Sequence, residues 1–273
     1  MRTQNSPHSG TKSLRLVVWF LFVLILVSAL SLGAKAASMI GSSIFDGKHR
    51  FTVFVLDRNK DAAVISLEPQ ARTVLLRIEG KPTQKEVESS LFIGFDGSIQ
   101  GVPPIGGESS VSDILASSFF SSGVEFDAMT HYDLLRLYFL SLEEQQDDMI
   151  TESVILKKGE VVRDASAKFF VDNGILADDK SVAIVNSAGV SGLGFRLEQV
   201  IVGLGGGVVS VTTGRDIQDP THIFYSGEKT YSVERIERLL HQKAEEGNTQ
   251  AADILVVIGK RSLPLGIFAT LEP

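Results

Sequence analysis

The chain has 273 residues, 44% of them hydrophobic and 22% charged, a normal globular composition for one large domain or two small ones. It contains no cysteine, which excludes disulfides, thiol catalysis and cysteine-ligated zinc. Residues 1–37 hold four of the 26 basic residues and none of the 33 acidic ones. The remainder therefore has a net charge of −11, which argues against nucleic acid as a partner.

The N-terminal part contains an apolar segment, LVVWFLFVLILVSALSL, at residues 16–32. As a helix it would be about 26 Å long, close to the thickness of a hydrocarbon core. Arg2, Lys12 and Arg15 precede it, and no acidic residue occurs before Asp46. Because positive flanks stay in the cytoplasm, this pattern predicts a single-pass protein of the cell membrane with a cytoplasmic N-terminus and an extracytoplasmic body.

This segment has two interpretations, a retained anchor or a cleaved signal peptide. Residues 34–36 read Ala-Lys-Ala, which imitates a signal-peptide cleavage site. The apolar run is longer than the roughly 7–15 residues of a cleaved signal. We therefore favour an anchor, with residues 1–37 as cytoplasmic tail and transmembrane helix, and in either case the body is exported.

The next part of the chain, residues 38–142, has the pattern of a mixed α/β domain. Strands are predicted at 51–56, 62–67 and 73–78, and helices at 109–121 and 131–146. Thr130 and Asp133 form a plausible capping pair for the second helix. The glycine- and proline-rich residues 95–110 predict a surface loop, and the polar residues 143–180 predict a connecting segment with some helix.

The C-terminal part, residues 181–262, is more regular and predicts the order βαββαβ. The strands are expected at 181–186, 208–212, 222–226 and 253–259, and the helices at 191–204 and 231–243. This order packs two helices on one face of a four-stranded sheet, a two-layer sandwich. The fold class expected for the whole chain is α/β (α+β).

A run of four glycines in five positions, from Gly203 to Gly207, raises the question of a phosphate-binding loop. Such a loop follows a strand and precedes a helix, whereas here the helix comes first. We therefore predict a helix C-cap with Gly205 or Gly206 in the left-handed conformation. The loop at 186–194 does lie between strand and helix and could receive an anion, but Ser191 as a helix N-cap is the favoured interpretation.

The C-terminal pattern resembles the LytR/CpsA/Psr regulator C-terminal domain. The likeness covers residues 181–260, with the segments SVAIVNSAGVSGLGFRLEQVIVGLGGGVVSVT, HIFYSGEKTYSVERIERLL and ADILVVIGK in one order. The positions that carry it are Asn186, Gly189, Gly192, Leu193, Gly205, Asp253 and Gly259. The resemblance implies an architecture more than an activity, because these residue types determine fold.

Residues 38–142 resemble, more distantly, the catalytic domain that precedes this module in LytR/CpsA/Psr proteins. Those enzymes transfer lipid-linked glycopolymers to peptidoglycan, with arginines on a pyrophosphate and aspartates on Mg²⁺. Carried onto FVLDRNKDAAVISLEP and RIEGK, the resemblance implies metal ligands at Asp57 and Asp61 and pyrophosphate contacts at Arg58, Arg77 and Lys81. A charged turn between two apolar strands explains residues 57–61 equally simply, and we favour that interpretation.

Two functions follow from these observations. The first is a bacterial, membrane-anchored, extracytoplasmic cell-envelope protein of LytR type, which acts by binding a cell-wall glycopolymer or a wall-assembly partner rather than by catalysis. The second is a divergent Mg²⁺-dependent phosphotransferase that attaches polyprenyl-pyrophosphate-linked glycopolymer to the wall. The second requires the five charged residues to converge beside an apolar tunnel for the lipid, so their geometry distinguishes the two. We favour the first.

Overall fold

The structure is a computed structural model that describes residues 10–143, 149–156, 162, 167–249 and 252–269. The chain divides into two compact units, residues 1–43 and residues 44–273. The first unit contains one long helix. The second contains two mixed sheets with their helices, so the chain is a mixed α/β protein.

Helix α1 (Gly10–Gly41) belongs to the first unit. Its segment Arg15–Gly41 has 27 residues, a mean hydropathy of 2.7 over its most apolar 18-residue window and no buried residue in that window. At 1.5 Å per residue the segment is about 40 Å long, so it is long and apolar enough to span a membrane. A signal sequence near an N-terminus has the same character. The helix extends beyond the predicted residues 16–32 because the alanine-rich stretch that follows favours helix.

The first sheet has six strands in the order β5-β4-β1-β2-β3-β6. The strands are β1 (Phe51–Asp57), β2 (Ala62–Leu67), β3 (Val74–Glu79), β4 (Gly97–Val102), β5 (Glu125–Asp127) and β6 (Ile150–Ile155). The pairs β1–β2, β2–β3 and β4–β5 are antiparallel, whereas β1–β4 and β3–β6 are parallel. The three predicted strands are confirmed as β1, β2 and β3.

Helices cover both faces of this sheet, because side chains on successive strand residues point to opposite faces. Val53 and Val55 of β1 pack with α3 (Val111–Phe120) and α4 (His131–Glu143), whereas Phe54 packs with α2 (Gln84–Leu91) on the other face. The predicted helices are confirmed as α3 and α4 over the described residues, which omit 144–148. The predicted capping pair is also confirmed, since the Asp133 amide donates to the Thr130 hydroxyl and Thr130 donates to the Asp133 carboxylate.

The prediction of a surface loop at 95–110 is wrong for its first half, which is β4. Ile99 of β4 is fully buried and lies opposite Val55 of β1 in a parallel pair. One of the glycines that suggested a loop is required by close packing instead. Gly101 has a φ of 77°, and a Cβ there would lie 2.7 Å from the carbonyl oxygen of Gly123. Long-range pairing therefore overrides local propensity here.

Helix α2 and the strands β5 and β6 are absent from the predicted elements of this region. Helix α2 begins after a capping box in which the Thr83 side chain accepts from the Glu86 amide and the Glu86 side chain accepts from the Thr83 amide. Strand β6 lies within the predicted connecting segment, yet it pairs with β3 of the first sheet. The same segment also contains the short helix α5 (Asn173–Asp178), which precedes the second sheet.

The second sheet has five strands in the order β10-β9-β11-β7-β8. They are β7 (Ser181–Asn186), β8 (Gly207–Thr213), β9 (His222–Tyr225), β10 (Ala244–Glu246) and β11 (Ile254–Ile258). Helices α6 (Leu193–Gly203) and α7 (Tyr231–Leu240) bury their apolar sides in one core with the sheet. The predicted order βαββαβ is present, but the sheet has five strands rather than four, because residues 244–246, which follow the predicted helix, pair in parallel with β9.

The glycine run ends a helix, as predicted. Gly205 has a φ of 95°, its amide donates to the carbonyl of Val202, and the Gly206 amide donates to the carbonyl of Ile201. These two bonds are a Schellman motif, which satisfies carbonyls at a helix end. The predicted N-cap of the same helix is wrong, because the cap position belongs to Gly192, with a φ of 85°, rather than to Ser191.

The two sheets share a buried group of charges, which we call the junction. Arg235 of α7 is 4% exposed and donates to the carboxylate of Asp96, which lies just before β4. Asp96 also accepts from the amide of Thr52 in β1, at 2.8 Å. Asp172, before α5, accepts from the Tyr231 hydroxyl at 2.7 Å and lies 3.8 Å from Nε of Arg235. Charged groups of both sheets therefore neutralise one another in the interior.

The pKa values in the junction follow from burial and from these neighbours. Burial raises the pKa of the Tyr231 hydroxyl, and the Asp172 carboxylate adds to that effect. Burial alone would lower the pKa of Arg235, but the Asp96 carboxylate outweighs it and the net change is upward. The arginine therefore stays charged inside the protein, where it requires its carboxylate partner.

We expect Gly205→Ala to lower the free energy of unfolding by about 1–3 kcal/mol, because alanine is disfavoured at positive φ. The new Cβ would also lie 2.9 Å from the Leu176 side chain. Gly207→Ala is the matched control, because φ is not positive there and the nearest atom is 3.9 Å away. Urea unfolding measures both variants, and equal effects would contradict the C-cap assignment.

We expect Arg235→Met to lower the free energy of unfolding by about 3–5 kcal/mol, because it leaves the Asp96 carboxylate buried and unpaired. Arg238→Met is the control, since Arg238 lies on the same helix, 3.9 Å from the same carboxylate, with its side chain 30% exposed. Its loss should cost about 1 kcal/mol or less. Similar losses for the two variants in urea unfolding would show that the junction does not couple the sheets.

Candidate functional site

Asp57 closes the hairpin between β1 and β2. It is 3% exposed, and one carboxylate oxygen accepts from the amides of Asn59 and Asp61 at 2.7 and 2.9 Å. The other oxygen accepts from the amide of Ile105 at 2.9 Å. Such aspartate-to-amide bonds stabilise turns. Asp57 is therefore buried and engaged with the main chain, whereas residues 58–61 form the exposed, charged turn.

Arg58 points away from its neighbours in the hairpin. Its Nε donates to the carbonyl of Gly101 at 3.1 Å, and its Nη2 donates to the carbonyl of Ser122 at 2.8 Å. Both acceptors belong to the β4–β5 side of the first sheet. The guanidinium therefore ties the hairpin to that side.

Arg77 lies in β3 and holds the loop that precedes α3. Its Nη1 donates to the carbonyl of Gly106 at 2.5 Å, and its Nη2 donates to the carbonyl of Ser109 at 2.7 Å. Its Nε is buried and has no hydrogen-bond partner among the described residues. Since one side of the guanidinium is occupied by two carbonyls, a bidentate grip on a phosphate from that side would require the loop to move.

An open cleft of about 540 Å³ lies beside Arg77, and we call it the β3 cleft. It is lined by Asp61, Ala62, Arg77, Ile78, Glu79, Gly80, Lys81, Ile105, Gly107 and Ser153. Lys81 has a φ of 57° directly after Gly80, so the chain turns sharply where β3 ends. Its ammonium is exposed and forms no hydrogen bond or ion pair with the part of the chain that the structure describes.

The structure thus brings three of the five predicted site residues together. Asp61, Arg77 and Lys81 line the cleft, whereas Arg58 points to the β4–β5 side. Asp57 does not line the cleft, but its carboxylate accepts a hydrogen bond from the amide of Ile105, which does. Two cationic and two acidic side chains line the cleft, because Glu79 is also present, so its formal charge is zero.

The residues present do not fit a Mg²⁺ ion at the two aspartates. Three main-chain amides point at the Asp57 carboxylate, where a cation would need free oxygens. Among the described residues there is no group of three or more histidine, cysteine, aspartate or glutamate side chains that could hold a metal.

Several residues of the cleft could not be identified from the sequence. Ser153 lies on β6, opposite Arg77 in a parallel pair between strands that are far apart in the chain. Ile105 and Gly107 come from the loop after β4, which the Arg77 side chain holds in place. No local sequence pattern indicates that Ser153, Ile105 or Gly107 lies near Arg77, because their positions depend on strand pairing in the folded sheet.

Comparisons of this chain with protein-family models, with curated proteins and with solved structures found no match. Its chemistry is therefore inferred from its own side chains and their geometry.

We expect Arg77→Ala to lower the free energy of unfolding by about 1.5–3 kcal/mol, because two charged hydrogen bonds to the loop before α3 are lost. Lys81→Ala, in the same cleft, removes a charge without a partner in the described chain and should change stability by less than about 0.5 kcal/mol. Urea unfolding of both variants tests the assignment. If the Arg77→Ala protein is as stable as the Lys81→Ala protein, the Arg77 guanidinium does not stabilise the loop and is instead a candidate for ligand contact.

Proposed function

We propose that this protein is a membrane-anchored, extracytoplasmic cell-envelope protein of LytR type that binds a cell-wall glycopolymer or a wall-assembly partner. It acts by binding and carries out no phosphoryl transfer. Three features support the proposal: the apolar helix α1, the C-terminal βαββαβ unit and the state of the β3 cleft.

The anchor supports the location. The apolar segment of α1 is flanked on its N-terminal side by basic residues, and the acidic residues all follow it. This asymmetry favours a cytoplasmic N-terminus and an acidic body outside. With retention rather than cleavage, the body would work close to the membrane surface, where wall polymers are assembled.

The C-terminal unit supports the LytR likeness because the residues that carry the likeness have structural roles in it. Asn186 holds the loop before α6, since its side chain donates to the carbonyl of Val190 and accepts from the amide of Ala188. At Gly259 a Cβ would lie 2.1 Å from the Pro220 carbonyl oxygen. Asp253 joins β11 to β7, and hydrogen bonds from Ser181 lower its pKa. These residue types are thus needed by the architecture itself.

One observation carries the choice of binding over catalysis. The groups that the enzyme interpretation assigns to metal and pyrophosphate are engaged with the main chain: Asp57 with three amides, Arg58 with two carbonyls and Arg77 with two more. A catalytic site requires such groups to face the reacting phosphate. Here they stabilise a hairpin and two loops.

The remaining chemistry of the β3 cleft suits a sugar chain. The free ammonium of Lys81, the carboxylates of Asp61 and Glu79 and the hydroxyl of Ser153 offer both donors and acceptors without a net charge. The volume of about 540 Å³ is in the usual range for a small-ligand site, and the open mouth admits a polymer. A short segment of a glycopolymer is the ligand that this combination fits best.

Co-sedimentation with purified cell-wall sacculi tests the proposal, with the full-length protein in lipid nanodiscs. We expect binding to sacculi that retain their glycopolymer and about tenfold weaker binding to stripped sacculi, a difference of about 1.4 kcal/mol. Asp61→Asn and Lys81→Ala should each weaken binding by a similar factor, because both side chains line the cleft. Lys60→Ala, in the same exposed turn but outside the cleft, is the control. If stripping the sacculi has no effect, the glycopolymer is not the ligand.

A phosphotransferase is the second candidate, because Asp61, Arg77 and Lys81 do line one cleft. It predicts binding of a polyprenyl pyrophosphate that requires Mg²⁺ and that Arg77→Ala weakens at temperatures where the variant is folded. Binding that is indifferent to Mg²⁺, or no binding, would reject this alternative.

A further inference from the structure

The four sheet edges of the described chain differ in how they are protected. In the first sheet, β5 has three residues, two of them acidic, and β6 carries Glu152 in an ion pair with Lys168 at 2.7 Å. In the second sheet, β10 has three residues, two of them glutamate. Strand β8 has seven residues, GVVSVTT, without charge or proline. Charged or very short edge strands prevent pairing between molecules, and β8 has neither protection.

Strand β8 pairs with β7 on one side and with no described strand on the other. Its outer edge therefore presents main-chain amides and carbonyls that can form a further ladder. The register of β8 shifts once against β7, at Val209, and runs regularly from Ser210 to Thr213. All residues of β8 except Val208 are exposed, so no side chain of the described chain covers this edge.

Exposed apolar side chains surround the β8 edge. Outside α1, twelve large apolar side chains are strongly exposed in the described chain, and six of them belong to α6, β8 or the loops beside them. These six are Val190, Phe195, Val202, Val209, Val211 and Ile217. Phe195 and Val202 lie seven residues apart on α6 and so share one side of the helix. Such a concentration of apolar surface around an open edge is typical of an interaction site.

We propose that β8 pairs with β8 of a second copy of this chain, antiparallel across a two-fold axis. The two five-stranded sheets then form one continuous sheet, with α6 beside α6 of the partner. A two-fold axis requires each surface to be complementary to itself. An antiparallel strand pair satisfies this requirement, because every ladder bond made by one strand is repeated by the other.

Charge favours a second copy over a different partner. Residues near a two-fold axis meet themselves, so any charge there would face a like charge. The body of the protein has a net charge of −11, yet β8 has none. A basic partner would bind instead to the acidic surfaces of the body, and β8 with its apolar surroundings is not one of them. The inference does not depend on the proposed ligand of the β3 cleft.

Disulfide trapping tests the dimer in the full-length protein, because the natural chain has no cysteine. Ser210, the middle residue of β8, would lie opposite Ser210 of the partner, about 4.5–5.5 Å away between Cα atoms, a distance that suits a disulfide. We expect Ser210→Cys to give a cross-linked dimer under mild oxidation in nanodiscs or detergent. Thr151→Cys, exposed on the edge strand β6, is the control and should give at least about tenfold less cross-linked product if it meets its copy only by random collision.

A charge on the edge provides the second arm of the experiment. Val209→Lys in the Ser210→Cys background should reduce the cross-linked dimer about tenfold or more, because each lysine would lie opposite Val211 of the partner and the two ammonium groups would be diagonal neighbours across the axis. Ile155→Lys in the same background is the matched control, because Val209 and Ile155 are both 61% exposed on edge strands. Equal cross-linking of Ser210→Cys and Thr151→Cys would overturn the proposal, as would a Val209→Lys protein that cross-links as well as the Ile155→Lys protein.

Discussion

The contact of Arg235 with Asp96 is the constraint on which the rest of the body depends. The arginine belongs to the second sheet's helix layer and the aspartate to the first sheet, and both are removed from water. A buried charge without its partner is strongly unfavourable, so the sheets are held where the two groups meet. Asp172 and Tyr231 extend the same group of charges into the segment that connects the sheets. The two halves of the body thus meet at polar contacts that tolerate little displacement, and Phe92 of the first half also packs in the apolar core of the second.

The first sheet shows how residues that resemble a catalytic motif can serve structure instead. Asp57 ends β1 and Arg58 follows it, but their hydrogen bonds go to main-chain groups of the hairpin and of β4. Arg77 does the same for the loop before α3. What remains in the β3 cleft is a neutral mixture of donors and acceptors around Lys81. That mixture is suited to recognition of hydroxyl groups. The residues lining the cleft lack the excess of positive charge that a pyrophosphate requires.

The elements that the sequence predicts correctly are those with strong local signals. Alternating or continuous apolar runs identify β1 to β3 and β7 to β11, with the exception of β10, and helical spacing identifies α3, α4, α6 and α7. The elements that it misses depend on distant partners. Strand β4 is glycine-rich and becomes a strand through β1, while the short β10 becomes one through β9. Helix α2 is a different case, because its Thr83–Glu86 capping box was a usable local signal.

By itself the sequence determined an apolar N-terminal helix, an acidic body, an α/β composition and the glycine that ends α6, because each follows from composition or from contacts within a few residues. The tertiary structure decided which charged side chains meet. It placed Asp61, Arg77 and Lys81 in one cleft with Ser153, turned Arg58 away, and left β8 as an open edge. These outcomes depend on the pairing of strands that are remote in the chain, and the free energy of such pairing comes from packing and burial that no local window of residues contains.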